Sequence, residues 1–176
     1  MQILSEEATL RARAIRMFIM DVDGVLTDGT AFYTGDSDAV FFHIHDGTGI
    51  KYLRRGGIIP AMISGRPVEA ARRRAQALGV QHVILGAKVK IEAYERLKEE
   101  TALQDDAIAY IGDDLPDIPV MRRAGLALTV PNAAPEALEV ADAVTERAGG
   151  NGAVREAAEF LLKAQDKWDD ILKRYL

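Results

Sequence analysis

The sequence predicts an α/β fold: a parallel sheet with helices on both faces, carrying a small β-hairpin insertion. Short apolar runs, each stopping at polar residues, alternate with stretches of helical periodicity. Strands that alternate with helices form parallel sheets covered on both sides. The 176 residues are 48% hydrophobic and 28% charged, which suits one globular domain over residues 1–176. No repeat, low-complexity segment or linker divides it.

The elements follow in order. Ser5 suits the cap of a short helix through about Ala14. Met17 to Met20 is a compact apolar run ending in Asp and Gly, the pattern of a buried parallel strand with functional groups at its carboxyl end. Two β-rich stretches flank Gly35-Asp36-Ser37-Asp38, predicting a hairpin over about 30–45 that is too small to be a cap domain. A helix is predicted from Thr48 to about Arg55, ended by Gly56-Gly57, with IIPAMIS as the second buried strand. Pro67 to Leu78 reads as a helix, with Gly79 in the position favoured after helix ends. HVILG is a third strand, Val89 to about Thr101 a helix, and AIAYIGDD a fourth strand ending in acids. Pro116 to Ala124 reads as helical, LALTV as a fifth strand, Ala134 to Val140 as a short helix and AVT as a last strand. Ala153 to about Tyr175 is a terminal helix and tail, with a break suggested near Asp166.

Composition excludes several classes. The net charge of -5 gives no basic footprint for nucleic acid. The absence of cysteine rules out disulfides, zinc–thiolate sites and cysteine nucleophiles. No apolar run approaches the ~20 residues that span a bilayer, so no membrane partner is expected. The opening MQILSEEATLRARAIR places acids and arginines where a signal peptide has its apolar stretch. A cytoplasmic location is the expectation.

Ligands bind at the carboxyl ends of strands in such sheets, and four segments deliver polar groups there. They are DVDGVLTD at 21–28, SGR at 64–66, the Lys88/Lys90 region and GDDLPD at 112–117. Asp21 and Asp23 suit a nucleophile and a general acid/base: one carboxylate attacks phosphorus, and the other moves the proton. The same pair also suits a turn. Clustered carboxylates repel one another and an anionic substrate, and a hard divalent cation such as Mg2+ removes both difficulties. Asp21 and Asp113 are the side-chain candidates, with the Asp23 carbonyl as a third ligand and Asp114 and Asp117 in support. Those acids equally suit a helix N-terminus. Ser64 and the Gly65 amide are placed to meet a phosphate oxygen, although Ser64 also suits a helix cap. Lys90 supplies a charge for the transferring phosphoryl group, with Lys88 as its rival.

Asp21-Val22-Asp23, Ser64, Lys90 and Gly112-Asp113-Asp114 with Asp117 are, in order, similar to the motifs of the haloacid dehalogenase superfamily. That resemblance implies a Rossmann-like core, Mg2+ and a phosphoaspartate formed on Asp21, with Asp23 as acid/base. DVDGVLTDG, HDGTGIKYL, SGRP, YIGDDLPDIPVM, VPNA and GGNGAVREAAEFLLKAQ resemble the capless 3-deoxy-D-manno-octulosonate 8-phosphate phosphatase family. This implies no large cap domain, a sugar-phosphate substrate on the route to lipopolysaccharide and a homotetramer. It also implies that the hairpin and the C-terminal segment, about 153–176, serve neighbouring subunits. Leu85-Gly86 stands where the family usually has Gln-Gly. Thr27, Asp46, Gly65 and Arg66 are the substrate-binding candidates. An arginine at Arg66 can clamp a carboxylate through two bonds, which favours an eight-carbon over a nine-carbon sugar acid. A non-catalytic binding protein on the same fold is the alternative of another class.

The remaining residues read plainly. His43 and His45 suit polar hairpin positions, with a metal pair as the sharper alternative. Thr48 suits a helix cap, Arg72 to Arg74 a solvated helix face, and Trp168, Ile171, Leu172 and Leu176 a packed stripe.

Overall fold

Four consecutive apolar residues suit a strand covered on both faces, and Met17–Met20 (β2) is such a strand, buried throughout. The computed structural model describes residues 1–5, 7–34 and 37–176. Around β2 the strands are Gln2–Ile3 (β1), Ile59–Ser64 (β5), His82–Leu85 (β6), Ile108–Ile111 (β7), Leu126–Thr129 (β8) and Ala143–Val144 (β9). Phe32–Thr34 (β3) and Ser37–Ala39 (β4) pair antiparallel as the separate hairpin. Its predicted turn residues Gly35 and Asp36 lie outside the described residues. The helices are Ala8–Ala14 (α1), Ile44–Arg55 (α2), Glu69–Leu78 (α3), Lys90–Thr101 (α4), Ile118–Met121 (α5), Pro135–Val140 (α6), Ala153–Ala164 (α7) and Trp168–Leu172 (α8).

The main sheet runs β1-β9-β8-β7-β2-β5-β6. Every pair in it is parallel except β1 with β9. The chain leaves β2 for β5 and β6 on one side, then returns to β7, β8 and β9 on the other. The order therefore reverses around β2, and the crevice at its carboxyl end is where such sheets bind ligands. Side chains alternate between two cores. Phe18, Met20, Met62, Ile111 and Leu128 pack with α1, α2, α3 and α7. Met17, Ile19, Ile63, Tyr110 and Ala127 pack with α4, α5 and α6. The predicted α/β class, parallel sheet and hairpin are all present.

Several boundaries differ from expectation. The second helix begins at Ile44, not Thr48. Gly47 and Gly49 read as helix breakers, yet α2 packs against α3 and α7, and that packing overrides propensity. His45 is therefore helical rather than part of a strand face, and Thr48 is no cap: its hydroxyl donates to the Ile44 carbonyl at 3.3 Å. The first helix starts at Ala8, with the Ser5 carbonyl accepting from the Ala8 amide at 3.0 Å. GDDLPDIPVM forms a 3-10 turn, Leu115–Asp117, before the short α5. The terminal helix is broken, with Asp166 at φ 55 between α7 and α8. β1 escaped prediction because both of its residues are exposed.

Candidate active site

β2 delivers Asp21 to the crevice, where its amide still pairs with the Ile111 carbonyl at 3.0 Å. The chain then turns sharply. Gly24 has φ 87 and faces the Asp113 carboxylate, which a Cβ at this position would overlap. Glycine thus brings the two acidic loops together. Thr27 locks the turn from inside. Its hydroxyl donates to the Val22 carbonyl and accepts from the Gly24 and Gly29 amides. Fully buried, Thr27 holds the loop and does not line the cleft, which corrects its expected place among substrate contacts. The Gly150 amide braces the same loop at the Val25 carbonyl, 2.9 Å away. The glycine-rich segment before α7 therefore supports this chain's own Asp21 loop, and Asn132 of the VPNA stretch accepts from Gly149 beside it.

β5 ends at Ser64, whose hydroxyl lies 3.3 Å from Asp23 Oδ2 and 3.1 Å from the Arg66 carbonyl, and also accepts from the Arg66 amide. α3 begins only at Glu69, so Ser64 closes a turn and does not cap the helix. Arg66 Nη1 lies 2.9 Å from Asp23 Oδ1. Gly65 and Arg66 both line the cleft.

Lys90 opens α4 and turns inward. Its Nζ lies 2.8 Å from Asp21 Oδ1 and 2.7 Å from Asp117 Oδ1. Lys88 is exposed at the rim, so geometry separates the two lysines.

β7 delivers the third loop. The Asp113 carbonyl accepts from Ala134 at 2.7 Å, while its buried Oδ1 has no hydrogen-bond partner. Asp117 is fully buried; its Oδ2 accepts from the Asp113 and Asp114 amides at 3.3 and 3.2 Å. Its Oδ1 accepts from Lys90 and from the hydroxyl of Tyr110. Asp114 stays exposed and completes a reciprocal capping box with Asp117. The cleft encloses about 510 Å³.

One carboxylate oxygen from each of Asp21, Asp113 and Asp117 lies within 4.8 Å of the others. Burial, then Asp117, pushes the Asp21 carboxyl well up, against the pull of Lys90. Burial and Asp117 push Asp113 up to about 6. Burial opposes the Lys90 charge, but Asp21 and Asp117 outweigh it and raise its pKa. A single lysine thus leaves the cluster net negative. This excess charge and the orphaned Asp113 oxygen fit a divalent cation. All four acceptor positions of Asp117 are occupied, so Asp21 and Asp113 are the available side-chain ligands.

Asp46 lies elsewhere, which is a second correction. It is buried between α2 and α7, and its Oδ1 accepts from the Arg155 amide at 2.8 Å. Gly152 precedes α7 without a side chain to cap it, so Asp46 caps the first turn of α7 from another helix. Asp46→Ala is expected to destabilise by about 2 kcal/mol, lowering Tm by roughly 4–8 °C. An unchanged Tm with a raised KM would return Asp46 to the substrate contacts. The one local hint of Tyr110's placement is a hydroxyl in the otherwise apolar strand AIAYI. Nor do His43 and His45 join the carboxylate cluster.

A doubly wound sheet with Asp21, Asp113 and Lys90 at its carboxyl edge is the arrangement of a haloacid dehalogenase-like phosphatase. The family model for haloacid dehalogenase-like hydrolases matches residues 46–125. The chain is 39% identical, over 95% of its length and 89% of the relative's, to 3-deoxy-D-manno-octulosonate 8-phosphate phosphatase KdsC of Escherichia coli K12. It therefore belongs to the 3-deoxy-D-manno-octulosonate 8-phosphate phosphatase family. The Moraxella catarrhalis phosphatase of that name, solved with a magnesium ion, a phosphate ion and KDO, superposes with a TM-score of 0.94 at 40% identity. The match covers 97% of this chain and 98% of that one. The cobalt-bound Haemophilus influenzae phosphatase superposes with a TM-score of 0.87 at 37% identity, covering 89% and 92%.

Proposed function

We propose that this chain hydrolyses 3-deoxy-D-manno-octulosonate 8-phosphate to the free sugar acid and phosphate. The observation that carries the reading is Lys90 bridging Asp21 and Asp117 beside the unpartnered Asp113 oxygen. The names of the relatives and the placing of Gly65 and Arg66 on the cleft wall support the substrate.

Asp21 attacks phosphorus, forming an aspartyl O–P bond as the ester P–O bond breaks. Asp23 gives its proton to the departing sugar oxygen. Asp23 then takes a proton from water, whose oxygen attacks phosphorus and breaks the aspartyl O–P bond, releasing phosphate. Lys90 holds Asp21 and offsets charge on the phosphoryl oxygens, and Ser64 and the Gly65 amide bind those oxygens. Arg66 receives the substrate carboxylate. Asp21, Asp113 and the Asp23 carbonyl would hold magnesium, with Asp114 and Asp117 supporting the loop. When bound, magnesium neutralises carboxylate charge and polarises the phosphoryl group.

The test is phosphate release from the eight-carbon substrate beside nine-carbon analogues, with Mg2+ and with chelator. Release that needs Mg2+ and prefers the eight-carbon sugar supports the reading. Preference for another sugar moves the substrate but keeps the chemistry. Silence on every phosphate favours a binding role.

Magnesium binding is expected to depend on pH. Asp113, with its carboxyl raised to about 6, holds a proton in the folded state at pH values where the unfolded chain does not. Its contribution to stability is present below its unfolded pKa of about 3.9 and is lost as pH rises through about 6. The cation needs the carboxylate, so the proton competes with it below that pH. The rise in Tm caused by Mg2+ is therefore larger at pH 7.5 than at pH 5, because each pH unit below about 6 costs Mg2+ binding roughly 1.4 kcal/mol for the one proton displaced. Equal rises at both pH values would show that no proton is displaced.

Self-association belongs to the same proposal. Phe32, Tyr33, Phe41 and Ile44 are exposed on the hairpin and the start of α2, an apolar patch suited to a second copy. α8 instead packs at home: Trp168 meets Tyr52 edge-on, and the Arg155 guanidinium lies over Tyr52. Sedimentation distinguishes a tetramer from an active monomer.

A further inference from the structure

We infer that Tyr110 is a positioning residue for the phosphoryl-transfer centre, acting through Asp117 on Lys90. This rests on the reading of the site as a phosphatase, but not on which sugar it takes. Tyr110 lies on β7 directly beside Ile19 of β2 and points into the core formed with α4 and α5. The same core holds Met17, Ile63, Val120 and Met121, and phenylalanine would fill the same space as tyrosine there. A hydroxyl in that core loses water and needs a partner. The partner is Asp117 Oδ1, the same oxygen that holds Lys90 Nζ at 2.7 Å.

The surrounding backbone accommodates this contact. A Cβ on Gly112 would lie 2.8 Å from Tyr110 Cε1 and 2.5 Å from Asp117 Cβ, so a larger residue would force the ring and the carboxylate apart. Asp117 Oδ2 accepts from the Asp113 and Asp114 amides only at 3.3 and 3.2 Å. These long bonds leave the carboxylate some rotation about Cβ–Cγ, which moves Oδ1. Tyr110 removes this freedom from the side of the core, while Lys90 approaches from the cleft and reaches Asp21 at 2.8 Å. The path runs from the Tyr110 hydroxyl to Asp117, to Lys90 and to Asp21 Oδ1. Tyr110 touches no substrate; it holds the lysine where charge develops in transfer.

The test is Tyr110→Phe, alone and combined with Asp117→Asn. Two readouts are used: steady-state turnover of p-nitrophenyl phosphate, and calorimetric binding of beryllofluoride with Mg2+ as a stand-in for the phosphorylated aspartate. Loss of one hydrogen bond to a charged group is expected to lower kcat between about tenfold and a hundredfold, with KM unchanged. Beryllofluoride affinity should fall by a similar factor. In the Asp117→Asn background the same change should have little further effect, because the path is already cut. Wild-type kcat and beryllofluoride affinity in Tyr110→Phe overturn the inference. A loss that is undiminished beside Asp117→Asn also overturns it, since Tyr110 would then act by another route. If the double variant does not fold, the single variant decides through the split between kcat and KM. A wild-type protein that neither turns over the phosphate nor binds beryllofluoride fails one step earlier, taking the phosphatase reading down together with this one.

Discussion

Asp21→Asn is expected to abolish phosphate release, by roughly 10⁴-fold or more in kcat. Asparagine keeps the shape and one oxygen for Lys90, so the cleft stays closed around Lys90 and Asp117. It loses the carboxylate that forms the bond to phosphorus, and among the described residues no other acid follows β2 directly. Stability should move the opposite way. Burial and Asp117 raise the Asp21 carboxyl, so its ionised form works against the folded state. That penalty is absent below its unfolded pKa of about 3.9 and grows as pH rises through the folded value. Metal-free Asp21→Asn is therefore at least as stable as the parent at pH 7.5, the trade expected where function requires crowded charge. Thermal unfolding in chelator checks the second claim, and phosphate release from a freshly purified, deamidation-free sample checks the first. Near-native turnover in such a sample would falsify the role of Asp21.

The parts legible in the sequence were those with a local signature. Met17 to Met20 was readable as a buried strand because its whole pattern lies in four adjacent residues. Asp21 and Asp113 were readable for the same reason, each following an apolar strand directly. Lys90 could be favoured over Lys88 only by order and spacing; what separates them is that Lys90 begins α4 facing inward, a tertiary fact. Asp46 and Thr27 were misplaced because their partners are hidden from local reading. Asp46 meets an amide 109 positions away, and Thr27 turns its hydroxyl back into its own loop. Tyr110 was invisible as a functional group because a tyrosine in a β-rich run reads as core, and only the return of Asp117 over the strand end gives its hydroxyl a task. The start of α2 was missed because two glycines argue locally against the helix that α3 and α7 hold in place.

Lys90→Met tests the other half of the centre. The side chain is 6% exposed, and its two acid partners are 5% and 0% exposed. Methionine fills much of the same volume but leaves three carboxylates facing one another without a cation from the chain. Loss of a charge clamp on the transferring group should reduce kcat by roughly 10²–10³-fold. Removing one partner of a buried pair costs on the order of 3–5 kcal/mol, and here the loss depends on pH. Lys90 itself has a raised pKa, so its contribution is fully present below its unfolded value of about 10.4 and does not vary between pH 5 and 8. The variation comes from the acids. Without Lys90 the already raised Asp21 and Asp113 carboxyls rise further, so the variant relieves itself by holding protons at pH 5 and cannot do so at pH 8. The Tm gap between variant and parent, measured in chelator, therefore widens from pH 5 to pH 8, and Mg2+ narrows it by supplying the missing charge. Lys90→Arg should restore stability better than turnover. A planar guanidinium carries the charge but cannot place one nitrogen between two single oxygens as the ammonium does. A gap that stays constant across pH would mean that the three carboxylates do not share one electrostatic site, and the case for a cation among them would fall with it.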